Sequence, residues 1–265
     1  ILVILFHIYP NFFFNGFLGV DVFFVISGFL ITKILFDYKN KSFFFILINF
    51  YKKRFLRIYP ALLFAIILTY ILAKLFGPPI QSLRGEVISS ILSYSNFYYI
   101  FSEVSYFETI FRNPLNHTWS LAVEIQFYLL YPFLFYFFLK KVSSNVNRIK
   151  KVLVFLIIFL FSISLFIEFY HPVFSFYSSF TRVWIFLFGA LVFFNKFKYK
   201  SSLSLLGILL IIFVLIFNLN YYDQLKSLLV SAGIYFLILG VGDRDVLKKK
   251  LIIRRIFLSI GNSSY

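Results

Sequence analysis

Apolar residues fall in long runs along this chain, and polar residues gather in the short segments between them. Seven complete runs are present, near 17–36, 56–76, 118–139, 152–169, 181–195, 203–219 and 225–241. A helix needs roughly 20 apolar residues to cross a hydrocarbon core of about 30 Å, and it satisfies its own backbone amides there. The pattern therefore predicts an all-α fold, a polytopic transmembrane helical bundle.

Two further runs are incomplete. One ends near Pro10 and the other begins near residue 256. We therefore expect eight to nine spans in this sequence, out of ten or more in all. We also expect one membrane-embedded domain over 1–265 that is incomplete at both termini.

The stretch 86–101 is apolar enough to resemble a span. Counting it as one would invert the sidedness of every later loop. The sequence therefore predicts an amphipathic helix on the outer interface of the membrane.

Composition supports a membrane protein. Of the 265 residues 61% are hydrophobic, whereas soluble domains contain about 45–50% apolar residues. Most of the 26 basic residues lie in four segments, 33–57, 140–151, 196–200 and 242–255, which alternate along the list of spans. By the positive-inside rule these loops are cytoplasmic, so we predict a multi-pass protein of the inner (cytoplasmic) membrane. The basic residues lie between apolar runs, which argues against a nucleic-acid partner.

Several kinds of chemistry are excluded by composition. The sequence has no cysteine and only three histidines. Disulfides and thiolate catalysis are therefore impossible, and too few ligands are left for a histidine-based metal site. We predict no metal and no permanently bound cofactor.

Charged residues inside spans are costly and need an explanation. His7 lies in the outward half of the first run, where it is either a bundle histidine or a general base. Asp21 begins the second run and either complements the helix dipole or fixes the tautomer of the His7 ring.

A basic cluster precedes the third run, with Lys53, Arg54 and Arg57 as its main members. These residues fit a topogenic signal that also meets anionic lipid. Arg54 and Arg57, three residues apart, would also share one helix face and could clamp a phosphate.

The fourth run carries polar residues at helical spacing. His117, Ser120 and Glu124 recur at intervals of three and four, and Tyr128 continues the stripe. A glutamate inside a span needs a cavity or a cation. Arg182 is a candidate partner for Glu124, and a substrate site and a structural ion pair are equally open.

Several of these segments together resemble the acyltransferase-3 family of integral membrane acyltransferases. The matching segments are 16–32, 50–60, 117–128, Arg182-Val183-Trp184 with Gly189, and 261–265. Many relatives carry a second acid after the glutamate of the fourth-span motif, where this chain has Ile125.

The resemblance implies an acyl-CoA donor, usually acetyl-CoA, taken from the cytoplasm. It implies an acceptor hydroxyl on a glycan or lipid-linked sugar outside, such as peptidoglycan, capsule or lipopolysaccharide O-antigen. It also implies that His7 is the essential catalytic residue, and that Arg54 and Arg57 bind the donor. The motif from Trp119 to Tyr128 then belongs to the functional centre.

These implications lead to a mechanism that the sequence leaves open at two points. His7 is either the general base or a transient acyl carrier, and Asp21 or Glu124 orients its ring. Lys53, Arg54 and Arg57 hold the donor, and we expect His117, Trp119, Ser120, Tyr128 and Arg182 on the acceptor side. The alternative function is a flippase or transporter of a glycan or lipid, which intramembrane charges also suit.

Overall fold

The computed structural model describes residues 2–9, 12–76, 82–103, 106, 113–142, 145–195, 201–217 and 222–241. All regular structure in these residues is helical. The helices are α1 (Leu2–Ile8), α2 (Gly19–Asp37), α3 (Phe43–Phe76), α4 (Leu83–Ile91), α5 (Ser95–Phe101), α6 (Thr118–Val142), α7 (Val146–Tyr170), α8 (Pro172–Tyr177), α9 (Ser179–Phe194), α10 (Ser201–Ile216) and α11 (Asp223–Val241). A short 3₁₀ turn, Gly16–Leu18, leads into α2.

Five helical segments within the described residues are long and apolar enough to cross a membrane: Gly16–Asp37, Phe43–Phe76, Thr118–Phe137, Val146–Tyr170 and Asp223–Gly240. Two shorter apolar helices, Ser179–Phe194 and Ser202–Ile216, complete the set. The prediction of an all-α, multi-pass membrane protein is confirmed. The run predicted to begin near 256 lies outside the described residues.

The third helix starts earlier than predicted. We expected it near residue 56, but α3 begins at Phe43 and continues through the basic cluster. Phe43 packs against Tyr136 of α6, and the Tyr51 hydroxyl donates to the Leu129 carbonyl of α6 (2.8 Å). The basic cluster therefore lies along α6 rather than beyond its end, which places Arg54 inside the bundle.

The stretch predicted as one interfacial helix is two helices, so that prediction is wrong in its detail. Ser93 separates α4 from α5 and adopts a left-handed backbone conformation (φ 58°). The amide of Tyr94 bonds to the Ser89 carbonyl (2.9 Å), and the amide of Ser93 to the Ser90 carbonyl (3.2 Å). These two bonds form a Schellman turn. Gln126 of α6 then donates to the Ser93 carbonyl (3.0 Å), which attaches the turn to the bundle.

Helix α2 lies at the centre and packs closely against α9. A Cβ atom added at Gly28 would lie 2.0 Å from the Phe186 carbonyl oxygen, and one at Gly189 would lie 2.0 Å from the Val25 oxygen. The two backbones are thus in direct contact, as small residues allow in membrane helices. This contact fixes the position of the polar residues that α2 carries.

Candidate active site

An ion pair inside the bundle joins α2, α9 and α11. Arg182 Nη1 lies 3.2 Å from Asp21 Oδ1, and both side chains are almost fully buried. The Ser227 hydroxyl donates to Asp21 Oδ2 (2.6 Å), and Arg182 Nη1 also lies 3.2 Å from Ser227 Oγ. Arg182 Nε donates to the Phe176 carbonyl (3.2 Å). Both oxygens of Asp21 are therefore engaged, as a buried charge requires.

This pairing corrects one expectation. Arg182 was one candidate partner for Glu124, beside the alternative of a substrate site, but its carboxylate partner is Asp21. A sequence gives no information on which of two acids, far apart along the chain, meets a given arginine.

Aromatic rings cover the ion pair. The Arg182 guanidinium lies 5.8 Å from the Trp119 ring centre and 5.2 Å from that of Phe176. Tyr106 stacks on Phe176 at 5.0 Å, and Phe6 of α1 stacks on Tyr106 at 6.1 Å. Cation–π contacts of this kind stabilise a desolvated guanidinium by up to about 2 kcal/mol.

His7 follows Phe6 on α1. The backbone of α1 packs on the 3₁₀ turn that leads into α2. A Cβ atom added at Gly16, in this turn, would lie 2.7 Å from the Leu2 oxygen and 2.8 Å from Phe6 Cβ. The chain therefore brings the helix that carries His7 to the aromatic cover of the ion pair. The side chain of His7 lies outside the described part of the structure, so its predicted role stays a prediction.

A second buried acid, Glu124 of α6, lies against α2 further along that helix. The Ser27 hydroxyl donates to Glu124 Oε1 (2.8 Å), and the Tyr128 hydroxyl donates to the same oxygen. Glu124 is 2% exposed. Tyr128 also links this acid to Arg54, whose guanidinium lies over the Tyr128 ring. Glu124 and Tyr128, predicted to share a stripe, therefore do lie together.

The three members of the basic cluster have different environments. Arg54 is buried, and its guanidinium lies 5.0 Å from the Tyr128 ring centre. Arg57 is exposed. Lys53 is exposed as well, and its ammonium donates to the Tyr38 hydroxyl at the end of α2 (3.2 Å). Arg54 thus connects this cluster to Glu124, whereas Lys53 and Arg57 are accessible to a ligand.

Polar positions on α2 form a series along the helix. Asp21 contacts α9 and α11, Ser27 contacts α6, and the Thr32 hydroxyl lies 2.7 Å from that of Tyr131. At 1.5 Å per residue the steps are about 9 Å and about 7.5 Å. The Arg182 centre and the Glu124–Arg54 centre are therefore about two turns apart along α2, much less than the separation of about 30 Å expected across a whole membrane core.

The remaining predicted residues lie at the start of α6. Trp119 is buried against Arg182, Ser120 is half-buried, and His117 is exposed in the turn before the helix. The Ser120 hydroxyl donates to the His117 carbonyl (3.2 Å). His117 and Ser120 therefore lie at the edge of this region, while Trp119 belongs to its interior.

Several contributors were not predicted. Ser227 and Gln224 on α11 look like ordinary helix residues, yet Gln224 accepts from the Trp184 indole (3.1 Å). Glu168 of α7 is buried and accepts the amides of Asp223 (2.6 Å) and Gln224 (3.1 Å) at the start of α11. The polar residues Gln224, Ser227 and Ser231 are three and four positions apart, so they lie on one face of α11. This spacing was the one signal in the sequence that could have indicated them.

The described residues hold no group of three or more His, Asp or Glu side chains that could bind a metal ion. The side chains described in this region are buried acids, arginines, hydroxyls and aromatic rings.

Comparison with known proteins identifies the family of the chain. The family model described as an acyltransferase domain matches residues 1–265. The peptidoglycan O-acetyltransferase OatA of Listeria monocytogenes is 35% identical over 255 residues, 91% of this chain and 41% of the relative. The O-acetyltransferase OatA of Staphylococcus aureus is 40% identical over 140 residues, 52% of this chain and 23% of the relative.

A third relative is the putative peptidoglycan O-acetyltransferase YrhL of Bacillus subtilis, 39% identical over 132 residues, 49% of this chain and 21% of the relative. The chain thus spans less than half the length of the relatives it matches. No solved structure matches it. With a family model that matches its full length, the chain belongs to the acyltransferase-3 family of membrane proteins.

Proposed function

We propose that this chain is a membrane O-acyltransferase that moves an acyl group, normally acetyl, from acyl-CoA to a hydroxyl of a glycan outside the cytoplasm. The single observation that carries the proposal is the family match over residues 1–265. The names of the relatives make peptidoglycan the first acceptor to test.

The donor binds from the basic side of the bundle in this proposal. Lys53 and Arg57 are exposed and can meet the phosphates of CoA, and a guanidinium fork suits phosphate oxygens. Arg54 lies deeper, packed on Tyr128, which in turn contacts Glu124. We therefore assign phosphate binding to Lys53 and Arg57, and alignment of the deeper part of the donor to Arg54.

His7 acts as the base in the transfer step. The acceptor oxygen attacks the thioester carbonyl, the carbon–sulfur bond breaks, and the CoA thiolate leaves. His7 takes the hydroxyl proton, which finally protonates the thiolate. An imidazole with a pKa near 6.5 suits this task at neutral pH and contributes about 10²–10⁴ in rate.

Asp21 and Glu124 have supporting roles. Both Asp21 oxygens bond to Arg182 and Ser227, which favours a role in holding Arg182 over direct orientation of the His7 ring. The aromatic cover on Arg182 includes Phe6, the neighbour of His7. Asp21 therefore supports His7 through Arg182 and these rings, and Glu124 supports Arg54.

The test is acetyl transfer by membranes that contain the chain, with labelled acetyl-CoA and peptidoglycan fragments. His7→Ala should lower transfer by at least 100-fold while the protein remains folded. His171→Ala removes an exposed histidine and is the matched control. Transfer by His7→Ala within a few-fold of wild type would refute the role of His7. Absence of transfer by the wild-type chain to any glycan would refute the proposed function.

A further inference from the structure

Glu86 is a fully buried acid that lies outside the region described above. Its carboxylate accepts the Ser82 hydroxyl (2.7 Å), the Tyr99 hydroxyl (3.3 Å) and the backbone amide of Leu115 (3.1 Å). A buried carboxylate is costly unless donors satisfy it. The three donors come from the start of α4, from α5 and from the turn before α6. Glu86 therefore fastens three segments together.

The turn that Glu86 holds leads directly into α6. The Thr118 hydroxyl donates to the Leu115 carbonyl (2.7 Å) and lies 2.7 Å from the Ser90 hydroxyl of α4. The Tyr177 hydroxyl donates to Asn116 Oδ1 (3.1 Å). The first turn of α6 is thus fixed by α4 and α8, and Glu86 is the one carboxylate in this set of contacts.

A continuous series of contacts runs from Glu86 to Arg182. Tyr99, which donates to Glu86, packs on Tyr177 with ring centres 5.6 Å apart. Tyr177 packs edge-on against Trp119 at 5.5 Å, and Trp119 lies over the Arg182 guanidinium. Each step is a direct contact between buried groups, so a shift at Glu86 moves Trp119 relative to Arg182.

We propose that Glu86 is a positioning residue for acyl transfer: by holding Leu115 and Tyr99 it sets the place of the Trp119 ring over the Arg182–Asp21 pair. The consequence for catalysis rests on the proposed function, whereas the placement of Trp119 does not. Glu86 touches no reacting group in this proposal; it acts through the turn and the rings.

Tryptophan fluorescence tests the placement independently of activity. The sequence has two tryptophans, so in a Trp184→Phe background Trp119 is the single tryptophan, excited at wavelengths that tyrosine does not absorb. Glu86→Ala should shift its emission to the red and raise the acrylamide quenching constant at least twofold. Glu86→Gln keeps an oxygen that can accept the Leu115 amide, so it should restore most of the wild-type signal. Glu103→Gln, which removes an exposed acid beyond α5, should change nothing.

The same variants are then assayed for acetyl transfer. Glu86→Ala should lower kcat at least tenfold with the KM for acetyl-CoA unchanged within twofold, and Glu86→Gln should recover most of kcat. If Glu86→Ala does not fold, Tyr99→Phe removes one bond to Glu86 and should give a smaller shift in the same direction.

A wild-type Trp119 signal in every folded variant of Glu86 and Tyr99 would overturn the proposal. So would a loss of transfer that only follows the loss of folded protein. An altered Trp119 signal combined with an inactive wild-type chain would retain the placement and refute the proposed function instead.

Discussion

Asp21 and Arg182 stand 161 positions apart in sequence, yet their side chains meet at 3.2 Å in the interior of the bundle. The pair ties α2 to α9, and Ser227 adds α11. Each charge stabilises the other, because either one alone would be a buried charge without a counter-charge and would destabilise the fold.

Removal of both partners should therefore cost less than the two single removals added together. Asp21→Asn and Arg182→Gln should each lower the free energy of unfolding by about 3–5 kcal/mol, because each leaves a buried charge unpaired. The double variant should lose clearly less than the sum. A double-mutant cycle from denaturation in detergent measures the coupling, and additive losses would contradict the pair.

Arg57 and Arg54 should differ in what they affect. Arg57 is exposed, so Arg57→Ala should raise the KM for acetyl-CoA about three- to tenfold with little change in kcat, and added salt should reduce the difference. Arg54 packs on Tyr128, so Arg54→Ala should also lower stability by about 1–2 kcal/mol. Steady-state kinetics and thermal unfolding separate the two effects.

Lys74→Ala at the far end of α3 is the control for both arginines. Equal effects of the two arginines on KM and on stability would show that their environments do not differ in solution.

The contact of α2 with α9 should be intolerant of a single methyl group. Gly28→Ala and Gly189→Ala each place a Cβ about 2.0 Å from a backbone oxygen, so the helices must separate. We expect losses of at least about 1–3 kcal/mol. Gly19→Ala meets side chains of α1 at 3.1 Å or more and should cost less. Thermal unfolding in detergent ranks the three, and a Gly28→Ala protein as stable as wild type would contradict the contact.

Glu86 should make stability depend on pH. Burial raises its pKa above the ordinary 4.5, against the opposing hydrogen bonds from Ser82, Leu115 and Tyr99. The folded state then binds the proton more tightly than the unfolded state. This contribution is complete below pH 4.5 and is lost as the pH rises through the folded pKa.

The Glu86→Gln variant cannot titrate at this position. Its Tm relative to wild type should therefore rise as the pH increases above 4.5, and Glu103→Gln should show no such trend. Glu86 interacts electrostatically with Tyr98 and Tyr99. The pKa of each of these phenols is raised above its ordinary 10, so both titrate at higher pH. A constant Tm difference across this range would contradict the raised pKa.

The sequence predicts the apolar helices well because a helix that crosses lipid must be apolar over about 20 residues. The start of the fourth run at 118 agrees with α6, and 17–36 agrees with α2 apart from the 3₁₀ turn. The start of α3 was missed because the cluster 52–57 resembles a loop. Arg54 instead turns inward to Tyr128 while its neighbours remain exposed, and the helix continues.

Local breaks and distant pairs were harder to predict. Ser93 ends α4 in a left-handed conformation without the glycine that usually signals such a turn. Glu86, Gln224 and Ser227 have no motif around them, and their importance comes from partners far along the chain. Tertiary partners of this kind become visible only once the helices are placed.

The direct contact at Gly28 and Gly189 also limits the route by which a thioester could travel. At this contact the two backbones leave no room for even a methyl group, so a pantetheine arm cannot pass between α2 and α9 there. In the proposed function, the donor then has to pass along another flank of α2, such as the one where Ser27 meets Glu124 of α6. That flank is where a captured donor should be sought.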